Sequence, residues 1–187
     1  MAATIPIPTE RVWPITREQF EQMIELGWFH EDDRVELLEG VIVRMSPQGD
    51  AHLRIIVALR RALARALGDR VEVVQQLPFP ATEKSRPEPD VSLWPNVDVA
   101  QLPPAQPYLV VEVSVSTLRD DRRIKSPTYA LAGVPEYWIV NVDDDLVEVY
   151  TEPTPQGYLT CRKVSRGQRI TLVAFPDVDI AVDDFLP

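Results

Sequence analysis

The chain has 187 residues, 45% of them hydrophobic, with 29 acidic against 19 basic side chains and a formal charge of −10. That length suits one ordinary domain with a sizeable core, and the single Cys161 excludes an internal disulfide or a cysteine-built metal cage. No apolar run approaches the roughly 20 residues of a membrane span, and the acidic balance argues against a general nucleic-acid coating protein, which needs Lys and Arg.

The N-terminus, MAATIPIPTERVW, lacks a basic start followed by an apolar core, so no secretory signal is expected. With the lone cysteine, this leads to the expectation of a reducing cytoplasm. Three of the 19 basic residues are lysines, Lys84, Lys125 and Lys163, which leaves 16 arginines. Lys125 is thereby a candidate for work that Arg does poorly, because Lys is a compact charge whose pKa can shift.

The first predicted element is a helix from Thr16 to Leu26, with a start at Thr16 and Glu18 and a stop at Gly27. RVELLEGVIVRM follows as two strands joined by a tight turn at Glu39-Gly40. Asp50 can cap a long helix that runs to Leu67 and closes at Gly68. On it Leu53, Ile56, Val57, Leu63, Ala64 and Leu67 recur at helical spacing and are expected to face the core. Arg54, Arg61 and Arg65 fall on nearly one line, since seven and eleven residues are close to whole numbers of turns. Two readings stay open for them: a solvated face, or a stripe facing phosphates.

VEVVQQL reads as a strand, PFPATEKSRPEP as a proline-rich loop, DVSLW as a strand start and NVDVAQLPPAQ as a second loop. YLVVEVSV is the most apolar strand. Leu118 to Ala132 is largely helical and ends at Gly133. Pro127 interrupts it, so the helix either kinks or restarts with Ser126 as its cap. PEYWIVNV is a buried strand with DDD as its turn. LVEVYTE, GYLTCRKV and RITL form a C-terminal antiparallel run. The order favours an α/β or α+β domain with a mixed central sheet, and residues 1–187 are expected to form a single domain.

Within LVVEVSV a carboxylate, Glu112, sits at the centre of an apolar strand, where a lone buried charge is costly. Asp90 follows Pro89 at the mouth of another strand. Asp90 and Ser92 share one face of theirs, and Glu112 and Ser114 one face of the other. If the strands are neighbours, both carboxylates enter one crevice. Mg²⁺ would then be a natural compensator, since it takes oxygen ligands and needs only one or two carboxylates. Lys125, on the following segment, can reach back to the strand end, although a simple pair with Asp121 four residues earlier is also open. Glu36 is a third acid, in the hairpin.

Taken together, ELLEG, MSP, the nearby His52, RPEPDVSLW, LVVEVSVST and KSPTYALAGVPEYWIV resemble the bacterial restriction endonuclease family of the Uma-two type, within the PD-(D/E)XK nuclease superfamily. The resemblance spans Phe20 to Leu186 and is most specific from Glu112 to Val140. It implies a restriction-endonuclease-like fold: a mixed central β-sheet flanked by helices, with an N-terminal helix and hairpin and a C-terminal antiparallel extension. It also implies Mg²⁺-dependent hydrolysis of DNA, with Mn²⁺ as a substitute.

By the same resemblance Asp90 and Glu112 match the family's two acids, Glu36 its early acid, Lys125 its displaced lysine and His52 a histidine at the helix start. The superfamily's lysine position on the strand is Ser114 here, a departure. Asp90, Glu112 and the Val113 backbone carbonyl are the expected metal ligands, with Lys125 and Glu36 beside them. His52 is a candidate accessory residue, and from the residues alone Arg54, Arg61 and Arg65 are candidate nucleic-acid contacts, on the condition that their stripe borders the crevice. Restriction-type nucleases often pair, so a homo-oligomer, a dimer or higher, is expected. The rival reading is a catalytically inactive module of the same fold that binds DNA or assembles with protein. A hydrolase built on Cys161 or Ser116 lacks a recognisable nucleophile motif.

Overall fold

Helix α1 (Arg17–Glu25) begins at a reciprocal cap: the Gln19 N–H donates to Thr16 Oγ1, and the Thr16 N–H donates to the Gln19 side chain. The computed structural model describes residues 11–30, 32–96 and 106–186, so the expected NVDVAQLPPAQ loop lies largely outside the described residues. The hairpin has the expected shape, β1 (Val35–Leu38) against β2 (Val41–Arg44). Its turn residues Glu39 and Gly40 have φ of 49° and 79°, as a two-residue reversal between twisted strands requires.

Helix α2 (Asp50–Leu67) differs in two respects. Gly49, not Asp50, is its N-cap, and Asp50 is the first helical residue. Its buried face is Ile55, Ile56, Leu59, Ala62, Leu63 and Leu67, while Leu53 and Val57 are 44% and 38% exposed and Ala64 is also exposed. The helix is rolled by roughly a quarter-turn from the expected phase. That roll centres Leu59 on the core and brings His52 to the inward side.

A six-stranded sheet is the centre of the molecule, in the order β3-β4-β5-β6-β7-β8. Its strands are β3 (Val71–Gln75), β4 (Val91–Pro95), β5 (Leu109–Ser114), β6 (Glu136–Asn141), β7 (Leu146–Thr154) and β8 (Gly157–Ser165). Only β5 and β6 are parallel. The crossover between them holds α3 (Leu118–Asp120), a π-helical turn (Asp121–Lys125) and α4 (Ser126–Leu131). The π turn resolves the Pro127 question in a third way. The Ser126 N–H bonds back five residues to the Asp121 carbonyl, so the chain widens just before a residue that lacks an N–H.

Both faces of the sheet are covered, which is why β5 reads as an almost unbroken apolar run. Leu109, Val111 and Val113 pack with α2 on one face, and Val110 packs with Tyr129, Tyr137 and Phe79 on the other. Glu112 alternates onto the Val110 face and therefore points at the α4 side. The C-terminal run also differs in part from expectation. β7 and β8 extend the central sheet, but β9 (Arg169–Thr171) pairs with β10 (Asp179–Ala181) in a separate two-stranded sheet. The chain turns away at Gly167, whose φ is 77° and whose N–H donates to Asp183 at 2.9 Å.

Gly40 fixes the hairpin against the N-terminal segment: a Cβ there would lie 2.6 Å from Pro14 Cβ. Gly40→Ala is therefore expected to lower the unfolding free energy by about 2 kcal/mol or more, measured by urea titration. Unchanged stability would show that the turn and Pro14 adjust freely.

Candidate active site

The two acids meet because of register. β4 and β5 are antiparallel neighbours, with Val91 opposite Val111 and Ser92 opposite Val110. One step further along this register sets Asp90 level with Glu112, on the same face. Pairing ends there, and the Asp90 side chain takes the place of a β4 backbone acceptor: its Oδ2 accepts from the Val113 N–H at 2.7 Å. The N–H and C=O of one strand residue point to the same edge, so the Val113 carbonyl faces Asp90 as well. His52 Nε2 lies 3.0 Å from the same Asp90 oxygen. His52 Nδ1 is buried without a partner among the described residues.

Glu112 is held from the crossover. Its Oε1 accepts from Lys125 Nζ at 3.0 Å and from the Tyr129 hydroxyl at 2.8 Å. Lys125 also lies 3.2 Å from Glu36 Oε2, across from the hairpin, and that oxygen accepts from the Glu88 N–H at 3.2 Å. The Lys125–Asp121 pair left open by the sequence is not the contact made. Asp121 instead accepts from Ser114 and Thr117 at 2.8 and 2.7 Å. Thus Ser114 anchors, through Asp121, the π turn that carries Lys125.

Glu36, His52, Asp90, Glu112, Val113 and Lys125 all line one cleft of about 220 Å³. Arg54 and Arg61 do not. They flank Leu53 and Val57 on a separate shallow depression along exposed α2, and Arg65 is exposed further along. The first turn of the same helix reaches the cleft through Ala51 and His52.

The charges in this cleft do not balance. Glu36, Asp90, Glu112 and Asp121 are each 6% exposed or less, and Lys125, at 8%, is the one buried cation among the described residues. Burial pushes Glu112 well above the ordinary carboxylate range; Lys125 pulls it back, while Asp90, Asp121 and Glu36 add to the rise. Burial alone would lower Lys125, but Glu112, Glu36 and Asp121 reverse this and hold its ammonium above the usual range. The ammonium stays charged, and the shortage of positive charge falls on Glu112.

A divalent ion fits this donor set. Two carboxylates and a carbonyl at the end of a strand pair are hard oxygen donors of the kind Mg²⁺ takes, with water and phosphate completing its shell. Among the described residues no group of three or more His, Cys, Asp and Glu side chains is placed to cage a metal ion.

Tyr129 and Thr117 were not among the expected members of the cluster, and Asp121 was expected only as an alternative partner of Lys125. Spacing carried a signal for two of them, since Asp121 and Tyr129 lie four residues either side of Lys125 and share its helix face.

A family model described as "Uma2: Putative restriction endonuclease" matches residues 17–183. Among solved structures, the chain is similar to one described as a putative nuclease belonging to DUF820 from Anabaena variabilis. That match has a TM-score of 0.70 and 17% identity, over 92% of this chain and 98% of that one. At that identity the likeness speaks for the fold alone. No curated protein matches.

The raised Glu112 has a consequence for stability. The native state keeps a proton that the unfolded chain releases near pH 4.3, so stability without metal falls as pH rises from there through the raised value. Glu112→Gln removes that penalty. In EDTA its melting temperature should exceed wild type by a few degrees at about pH 8, with the gain vanishing near pH 4. A Gln variant that melts lower at the higher pH would contradict the assignment.

Proposed function

Since the chain belongs to the Uma2 family of putative restriction endonucleases, we propose that it hydrolyses DNA phosphodiester bonds with a bound divalent cation, Mg²⁺ or in its place Mn²⁺. The observation that carries this reading is the convergence of Asp90, Glu112, Lys125 and Glu36 on one cleft. Asp90, Glu112 and the Val113 carbonyl would hold the ion. Bound there, it supplies a Lewis acid for a phosphoryl oxygen and acidifies a water.

The chain's own residues do the rest. Lys125 holds an ammonium at the cleft wall, where it orients a water and steadies the negative charge that develops on the phosphoryl group. Glu36 shares that ammonium with Glu112, so it does not collapse onto one carboxylate. His52 fixes the rotamer of Asp90 through its Nε2 contact.

In the rival reading, an inactive module, the same side chains form a static ion-pair network. Four buried acids against one buried ammonium weigh against it, because a network kept only for structure gains nothing from buried acids that its one cation cannot pair. The chain is taken to act as a single domain, with two copies pairing where both strands are cut. Arg54, Arg61 and Arg65 are assigned to phosphates beyond the cleft, along the helix whose first turn lines it.

Asp90→Asn and Glu112→Gln are expected to reduce Mg²⁺-dependent cleavage of plasmid DNA on the order of a hundredfold or more while leaving circular dichroism and cooperative melting intact. Equal cleavage by wild type and both variants sinks the assignment. Lys125→Ala is a poorer probe, since it strips buried acids of their cation and destabilises the fold.

A second expectation concerns binding alone. Replacing Arg54, Arg61 and Arg65 by Gln should flatten the plot of log affinity against log salt by about 2–3 units for duplex DNA, measured by fluorescence anisotropy in EDTA. An unchanged slope removes these arginines from the interface.

A further inference from the structure

The geometry points to Tyr129 as the positioning residue that makes Glu112 a one-oxygen ligand, and so selects Mg²⁺ and Mn²⁺ over Ca²⁺. This rests on the metal-site reading above. Tyr129 is fully buried, its ring stacked on Phe79 at 6.3 Å and tilted against Tyr137 at 5.0 Å. Its hydroxyl therefore has little freedom, and it donates to Glu112 Oε1 at 2.8 Å. Lys125 donates to that same oxygen at 3.0 Å.

A carboxylate oxygen has about two lone-pair sites. On Oε1 both are taken, one by an ammonium and one by a hydroxyl. With both sites on Oε1 filled and the residue lining the cleft, Oε2 is the oxygen left to meet a ligand there. A cation can reach it only in the monodentate mode. Mg²⁺ prefers single oxygens at near-octahedral positions, whereas Ca²⁺ gathers six to eight oxygens and readily takes a carboxylate by both. The double donation on Oε1 closes the second mode. Lys125 alone would leave one lone pair open, so the discrimination depends on the Tyr129 hydroxyl.

The test is calorimetry with Mn²⁺ and Ca²⁺ alone, without nucleic acid, on wild type, Tyr129→Phe and Tyr137→Phe. Tyr137 belongs to the same aromatic cluster, but its hydroxyl donates to the Asp121 backbone carbonyl at 3.3 Å, which makes it the control for loss of a buried hydroxyl. Tyr129→Phe should shift the ratio of the Ca²⁺ Kd to the Mn²⁺ Kd by about tenfold toward Ca²⁺, while Tyr137→Phe leaves the ratio at its wild-type value. An unchanged ratio in Tyr129→Phe, or an equal shift in both variants, overturns the role given to Tyr129. Wild type that binds no Mn²⁺ overturns the metal site itself and this inference with it.

Discussion

One ammonium, shared between a carboxylate of the hairpin and a carboxylate of the central strand, is the interaction on which the cleft depends. Lys125 sits between Glu36 and Glu112 at 3.2 and 3.0 Å. Without it, two acids would be buried side by side with nothing between them. With it, the hairpin, the sheet and the crossover are tied at one point, and the acids still outnumber the cation. A site left short of positive charge invites a cation from solution, and the donors that remain open to the cleft are oxygens. In the proposed role, stability and function pull against each other at Glu112, whose ionised form weakens the empty fold and would hold the ion.

The topology explains why these residues meet although they lie far apart in sequence. An antiparallel β4–β5 pair brings Asp90 level with Glu112. The crossover from β5 to its parallel partner β6 must pass over the sheet. Its first turns therefore lie above the end of β5, within reach of Glu112. The π turn there sets Lys125 inward, and Ser114 and Thr117 hold that turn through Asp121. The Lys125 ammonium thus arrives over the end of β5 from the crossover and not from the strand itself.

Much of this was legible in the sequence, for reasons that differ by element. The hairpin followed from Glu39-Gly40 between apolar alternations, and α1 from the start at Thr16. The pairing of Asp90 with Glu112 followed from period-two alternation once the strands were taken as neighbours. The roll of α2 was not legible, because Leu53 and Val57 are apolar yet exposed, and helical periodicity counts them as core. The π turn was not legible either, since a five-residue register appears in no hydrophobic period. Tyr129 was missed because a buried tyrosine at helical spacing reads first as packing, and only the position of its hydroxyl against Glu112 distinguishes it. The family match over residues 17–183 agrees with the resemblance carried by the same motifs.

The central claim is that Asp90, Glu112 and the Val113 carbonyl grip one divalent ion beside the Lys125 ammonium. A crystal soaked in Mn²⁺ and measured at the manganese absorption edge tests it most directly. The account predicts a single strong anomalous peak about 2.0–2.3 Å from one oxygen of each of these three groups, with Lys125 still paired to Glu112. A peak elsewhere in the molecule with this cleft empty, or an ion that displaces Lys125 from Glu112, would contradict it.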